Sequence, residues 1–347
     1  MKGNEALAEA AIRAGCHHFF GYPITPQTEL AAYMSKRMPK IGGTYLQAES
    51  EIAAINMVLG ASSAGVRAMT SSSSPGISLK TEGISYIAGS DVPALIINVQ
   101  RGGPGLGGIQ PSQADYWQAT KATGHGDFQI LVFAPSTVQE MVDFVSLAFE
   151  LGDKYRMPAM ILADGMLGQM MEPVEFKEQN ESAKVEKPWA LTGHQFKRPH
   201  NVVNSLYLKP ADLERLVKER FARYETIKQT EQRAEEYLVD DADIVVVAYG
   251  ASSRVARSAV NAARAQGVKA GLIRPITLWP FPTDALQKAA QHVKKFLAVE
   301  MSMGQMIDDV RLAIHDQKPV EFYGRTGGMI PTPAEVLDAI KKAGGVL

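Results

Sequence analysis

Short apolar runs alternate with helical stretches along most of this chain, and that alternation restricts the fold more than any other feature. Strands are predicted at His18–Phe20, Thr44–Leu46, Val66–Thr70, Pro93–Val99, Phe128–Phe133 and Ala159–Leu162. Helical patterns lie between them at 4–14, Thr25 to about Arg37, Glu51–Ala64, Ser74 to about Ala88, 112–122 and Val138–Leu151. Strands that alternate with helices predict a mostly parallel sheet covered on both faces. The pattern fails from about 172 to 239, where polar, proline-punctuated sequence leads into a long charged helix expected over Leu213–Leu238. It resumes with strands at 244–248, 268–273, 296–299 and 320–323, separated by helices at 253–265, 283–292 and 304–315. An α/β domain over 1–175, a connector over 176–239 and a smaller α/β domain over 240–347 follow as expectations.

Charge and cysteine content exclude several functions. There are 36 basic and 37 acidic residues, net charge -1, and neither sign is clustered. Such a surface gives no electrostatic case for nucleic acid or an anionic membrane. No apolar run approaches the roughly 18 residues of a membrane helix. Met1-Lys2-Gly3-Asn4-Glu5 has no apolar signal core, so a cytoplasmic location is expected. The single cysteine, Cys16, rules out an internal disulfide and a self-contained iron–sulfur cluster, which needs about four thiolates. A buried structural thiol is expected there.

The polar motifs fall where a parallel sheet places loops at the carboxyl ends of its strands. Gly103-Pro104-Gly105-Leu106-Gly107-Gly108 matches the dinucleotide pattern G-x-G-x-x-G. A dinucleotide site needs a helix opening at once and an acid closing the next strand. Here Ile109-Gln110-Pro111 delays the helix and Asp127 precedes the strand, so a loop bringing backbone close to a ligand is the better reading. Arg101 enters that loop from an apolar strand; its planar fork suits a carboxylate, and a salt bridge across the loop is the alternative. Thr25-Pro26 and Ser74-Pro75 each have the form of a helix cap followed by proline. Glu49 and Glu51 begin a helix, where acids are favoured by the dipole alone. A buried glutamate there needs a partner that shares its proton.

Four motifs occur in one order: Gly21-Tyr22-Pro23-Ile24-Thr25-Pro26, Ala48-Glu49-Ser50-Glu51-x-x-Ala54, Thr70-Ser71-Ser72-Ser73-Ser74-Pro75-Gly76 and Arg101-Gly102-Gly103-Pro104. The ordered set resembles the alpha subunit of 2-oxoacid:ferredoxin oxidoreductases over essentially the whole chain. Ile273-Arg274-Pro275-Ile276-Thr277-Leu278-Trp279-Pro280-Phe281-Pro282 is similar to that family's second, transketolase C-terminal-like domain. The runs Ser71–Lys80 and Gly105–Tyr116 look most like the branched-chain, 2-oxoisovalerate type.

The resemblance implies a thiamine diphosphate-binding domain of the pyrimidine type. Such a domain offers one glutamate to the aminopyrimidine ring, and the activated cofactor then attacks a 2-oxo group and releases carbon dioxide. By position Glu51 takes that role, with Glu49 as fallback. Thr25 and Arg101 would meet the 2-oxoacid carboxylate, and Ser72, Ser73, Ser74, Pro75 and Gly76 would line the cofactor. Ala163-Asp164-Gly165 is not followed by the Asn-Asn of a diphosphate–metal site. Mg2+ and iron–sulfur clusters are therefore expected on beta, gamma and ferredoxin-like delta subunits. The implied reaction takes 2-oxoacid, coenzyme A and ferredoxin to acyl-CoA, carbon dioxide and reduced ferredoxin. Its rivals are a 2-oxoglutarate or pyruvate type, a nonoxidative thiamine decarboxylase or transketolase half, and a non-catalytic assembly subunit.

Overall fold

The computed structural model describes residues 1–177 and 185–345; positions 178–184 of the expected connector lie outside the described residues. The chain opens with α1 (Gly3–Arg13), β1 (His18–Gly21), α2 (Thr28–Arg37), β2 (Thr44–Gln47), α3 (Glu51–Ser63), β3 (Ala68–Ser72), α4 (Ser74–Gly89) and β4 (Leu95–Gln100). It continues through α5 (Tyr116–Thr120), β5 (Leu131–Phe133), α6 (Val138–Tyr155), β6 (Ala159–Asp164) and α7 (Gly165–Gln169). After α8 (Pro210–Thr230) come β7 (Ala234–Tyr237), β8 (Ile244–Val247), α9 (Gly250–Ala265), β9 (Ala270–Pro275) and β10 (Thr277–Trp279). The chain ends with α10 (Thr283–Ala290), β11 (Lys295–Glu300), α11 (Met306–Ala313), β12 (Val320–Gly324) and α12 (Pro333–Gly344).

Two sheets form. The first has seven strands in the order β10-β5-β6-β4-β3-β1-β2 and is parallel except where β10 joins β5. Every residue of β3, β4 and β6 is buried. Successive side chains on a strand point to opposite faces, so both faces of this sheet are covered. The second has five strands in the order β12-β11-β8-β9-β7, with β7 alone antiparallel.

Three sequence expectations change. The long charged helix stops at Thr230, and Ala234–Tyr237 is an edge strand of the second sheet. Glu235 lies opposite Arg274 on β9 and binds its Nε at 2.8 Å, so a cross-strand cation accommodates the charge that made this run look helical. Thr277–Trp279, inside the run assigned by resemblance to the second domain, pairs with β5 at the edge of the first sheet. α12 was not anticipated. Its signal is nonetheless present: Thr332 and Glu335 form a reciprocal capping box, Pro333 follows the cap, and Gly345 ends the helix at φ +68°.

The sheets are tied together by buried polar contacts. Gln113 has no exposed surface; its Nε2 donates to the Tyr249 carbonyl at 2.8 Å, while its Oε1 accepts from Ser252 Oγ at 2.7 Å and Met301 N at 3.0 Å. Tyr116 donates to Asp309 Oδ2 at 2.5 Å, and Arg274 reaches Glu140 of α6 at 2.6 Å. Cys16 is buried with its thiol pushed up to about 12, the inert character expected of it.

Candidate active site

The loops after β1, β2, β3 and β4 meet at the carboxyl edge of four adjacent strands. This is where open parallel sheets bind ligands. The structure separates the two candidate glutamates. Glu49 is exposed and accepts from Ser50 Oγ at 2.8 Å. Glu51 is the first residue of α3 and is buried. Ser50 caps this helix by accepting from Ala53 N at 3.2 Å.

Glu51 faces the start of α4, and glycine there makes room for it. A methyl group on Gly76 would lie 2.1 Å from Ser72 Oγ and 2.8 Å from Glu51 Oε1. The oxygens of Thr70, Ser72 and Ser73 are buried without a hydrogen-bond partner. Orphaned buried hydroxyls are uncommon because each forfeits its solvation, so three in the β3–α4 run, with that of Ser72 beside the Glu51 carboxylate, fit a polar group that is not protein. The donor set and the glycine-lined space therefore suit the aminopyrimidine end of thiamine diphosphate. Among the described residues no cluster of His, Cys, Asp or Glu could hold a metal.

Neither Ser74 nor Thr25 caps a helix as its sequence suggested. Ser74 is already inside α4, which has Ser73 as its flanking residue and no side-chain cap. Its hydroxyl instead donates to Asp115 Oδ2 at 2.6 Å and accepts from Arg101 N at 3.1 Å. Thr25 lies three residues before α2, whose flanking residue is Gln27. Thr25 presents its carbonyl to Arg101 Nη1 at 2.9 Å. Arg101 Nη2 donates to the Leu106 carbonyl at 3.1 Å, and its Nε is buried without a partner. Arg101 is 9% exposed, and among the described residues it forms no ion pair. A guanidinium so enclosed, with only carbonyls and an idle Nε–H, favours an incoming carboxylate. The salt bridge weighed as its alternative is absent among the described residues.

The loop that presents Arg101 is closed on itself. Gly102 N donates to Gln110 O at 3.0 Å, Gly108 N donates to Gly102 O at 2.9 Å, and no helix opens before Tyr116. Gly107 sits at φ +55° with its missing Cβ 1.9 Å from Gly102 O, a position a side chain could not occupy.

The structure thus brings Glu51 and Ser72 together at Gly76, and links Ser74, Arg101 and Thr25 by hydrogen bonds. Several residues at this edge escaped sequence reasoning. Gln27 has no exposed surface and accepts from Ser71 Oγ at 2.6 Å, tying the β1 loop to β3. Asp115 accepts from Ser74 and, at 2.9 Å, from Asn98 Nδ2. Burial raises its carboxyl above the usual range, against the pull of those hydrogen bonds and of Arg101. Lys80 of α4 is fully buried and donates from Nζ to the Glu51 carbonyl at 3.3 Å. Gln27 and Asp115 leave no periodic trace; a lysine on the apolar face of α4 was the one available signal.

The chain is similar to known proteins of one family. Residues 9–240 match the family described as pyruvate flavodoxin/ferredoxin oxidoreductase, thiamine diphosphate-binding, and residues 242–336 match pyruvate:ferredoxin oxidoreductase core domain II. The ketoisovalerate oxidoreductase subunit VorB of Methanothermobacter thermautotrophicus is 50% identical, over 99% of this chain and 97% of its own length. The 2-oxoglutarate synthase subunit KorA of Methanothermobacter marburgensis is 37% identical, over 98% of this chain and 97% of its own. A solved 2-oxoglutarate:ferredoxin oxidoreductase from Magnetococcus marinus, with 2-oxoglutarate, coenzyme A and succinyl-CoA bound, superimposes with a TM-score of 0.83 at 28% identity. That match covers 99% of this chain and 64% of the longer one.

Proposed function

The chain belongs to the 2-oxoacid:ferredoxin oxidoreductase family, and from that premise we propose that it is the alpha subunit of a complex that oxidatively decarboxylates a branched-chain 2-oxoacid. The observation that carries this reading is the pairing of two features across the start of α4. One is the buried Glu51 carboxylate beside the orphaned Ser72 hydroxyl. The other is a buried arginine whose polar partners are the carbonyls of Thr25 and Leu106.

Bound thiamine diphosphate would supply a nucleophilic carbon and an electron sink for decarboxylation. Glu51 would share a proton with the aminopyrimidine ring, and its burial keeps water from competing for that proton. Ser72, Ser73, Ser74, Pro75 and Gly76 would line the cofactor, with Gly76 leaving space for the Glu51 carboxylate. Arg101 would hold the 2-oxoacid carboxylate through its fork, aided by Thr25. Beta, gamma and ferredoxin-like delta subunits would provide Mg2+, the diphosphate site, iron–sulfur clusters and the route to ferredoxin. The branched-chain assignment is supported by the higher identity to the ketoisovalerate relative.

The test is anaerobic co-purification of the complex, with viologen or ferredoxin reduction assayed across 2-oxoacids plus coenzyme A. Preference for 2-oxoisovalerate, lost in Glu51→Gln, is expected. Preference for 2-oxoglutarate or pyruvate would overturn the substrate and keep the mechanism. Near-normal turnover in Glu51→Gln would sink the role of Glu51.

A further inference from the structure

A buried lysine stands behind Glu51. Lys80 has no exposed surface, and among the described residues the Glu51 carbonyl is its hydrogen-bond acceptor. An ammonium carries three donors, and leaving a buried cation without a counter-charge is strongly unfavourable. The elements around it supply one such charge. Glu51 is the single ionisable residue of α3, and β3 and β4 carry none. On α4 itself, Glu82 is exposed and accepts from the Tyr86 hydroxyl at 2.7 Å. Asp115 is engaged with Ser74 in the first turn of α4. The backbones of α3 and α4 also approach closely: a methyl group on Gly83 would lie 2.4 Å from Ile55 Cγ2.

We propose that Lys80 is the buried counter-charge of Glu51, its ammonium held on the Glu51 carbonyl so that it steadies the neighbouring carboxylate through space rather than as a direct ion pair. Lys80 is thus a positioning residue, acting through Glu51 and resting on the reading of Glu51 as the proton-sharing group. Burial draws the ammonium down to about 8 while the Glu51 charge opposes that fall, so the cation is present at neutral pH and fades in mild alkali.

The test that does not depend on turnover is a double-mutant cycle on the full-length chain, read by thermal unfolding. Lys80→Met strands a carboxylate and Glu51→Gln strands an ammonium. Each is expected to lower Tm by about 5 °C or more. The double variant should lose clearly less than the two losses combined; additive losses would overturn the pair. If Lys80→Met does not fold but the double variant does, the pair is supported; if neither folds, the lysine is packing and the proposal fails.

The second arm is the pH profile of turnover in the assembled enzyme. The wild type should decline with a midpoint near 8, as Lys80 loses its proton. Lys80→Arg keeps its charge and should move the decline to higher pH; an unmoved decline counts against the proposal. Glu51→Gln separates the two readings. Retained turnover in that variant overturns the premise, whereas a dead variant with additive Tm losses overturns the counter-ion alone.

Discussion

Gly76→Ala isolates the space that Glu51 requires. The added methyl would stand 2.8 Å from Glu51 Oε1 and 3.2 Å from its Cγ. The oxygen contact falls about 0.7 Å inside an ordinary separation of about 3.5 Å. Ser72 Oγ, at 2.1 Å, must leave its present position altogether. The φ of Gly76 is not positive, so backbone strain is not involved and the effect is steric. Overpacking of this kind costs about 1–3 kcal/mol. A carboxylate displaced by a large fraction of an ångström loses roughly 10- to 100-fold in turnover. Gly83→Ala is the matched control on the same helix: its methyl would meet Ile55 Cγ2 at 2.4 Å without touching the carboxylate. Both variants should unfold at lower temperature, and Gly76→Ala should lose far more turnover in the reconstituted, anaerobic enzyme. A folded Gly76→Ala enzyme within about twofold of wild-type kcat would refute the steric reasoning.

Two other perturbations test separate parts of the site edge. Arg101→Ala should raise KM for the 2-oxoacid about 100-fold, the loss of two charge-assisted hydrogen bonds, and Arg101→Lys about tenfold; steady-state kinetics with unchanged KM would remove Arg101 from the substrate. Asp164 is buried, caps α7 through Met166 N and Leu167 N, and its carboxyl is raised from 3.8 to about 6 by burial. Because the folded state holds that proton more tightly than the unfolded state, wild-type stability is lost as pH rises through that window. Asp164→Asn can keep the cap and abolish the titration, so its Tm advantage should grow by the equivalent of about 3 kcal/mol between about pH 3 and 7 and then level off. A pH-independent difference in Tm would contradict the assignment.

Much of the α/β order was legible because strand and helix periods differ and because glycine and proline mark the ends. Pairing between distant strands was not. Thr277–Trp279 reads as a plain strand, and nothing local says which sheet will take it. Ala234–Tyr237 looks helical by charge until Arg274 is placed across from it. Among the site residues, the family resemblance picked out Glu51 and Arg101, and the structure distinguishes Glu51 from Glu49 by burial. The caps misled because Thr25-Pro26 and Ser74-Pro75 carry the same local chemistry whether the hydroxyl turns to its own helix or elsewhere. Ser74 turns to Asp115, 41 residues away, which local patterning could not see.

The placement of β10 has a consequence for how this polypeptide can be divided. The two family matches meet between residues 240 and 242, a natural point at which to cut. A fragment ending there would lack Thr277–Trp279 and leave β5 with a row of unpaired backbone donors and acceptors along one side. Bare sheet margins recruit other chains and aggregate. The downstream half thus shields the upstream half from self-association, and the two would need to be made together, or mixed before the margin finds another partner.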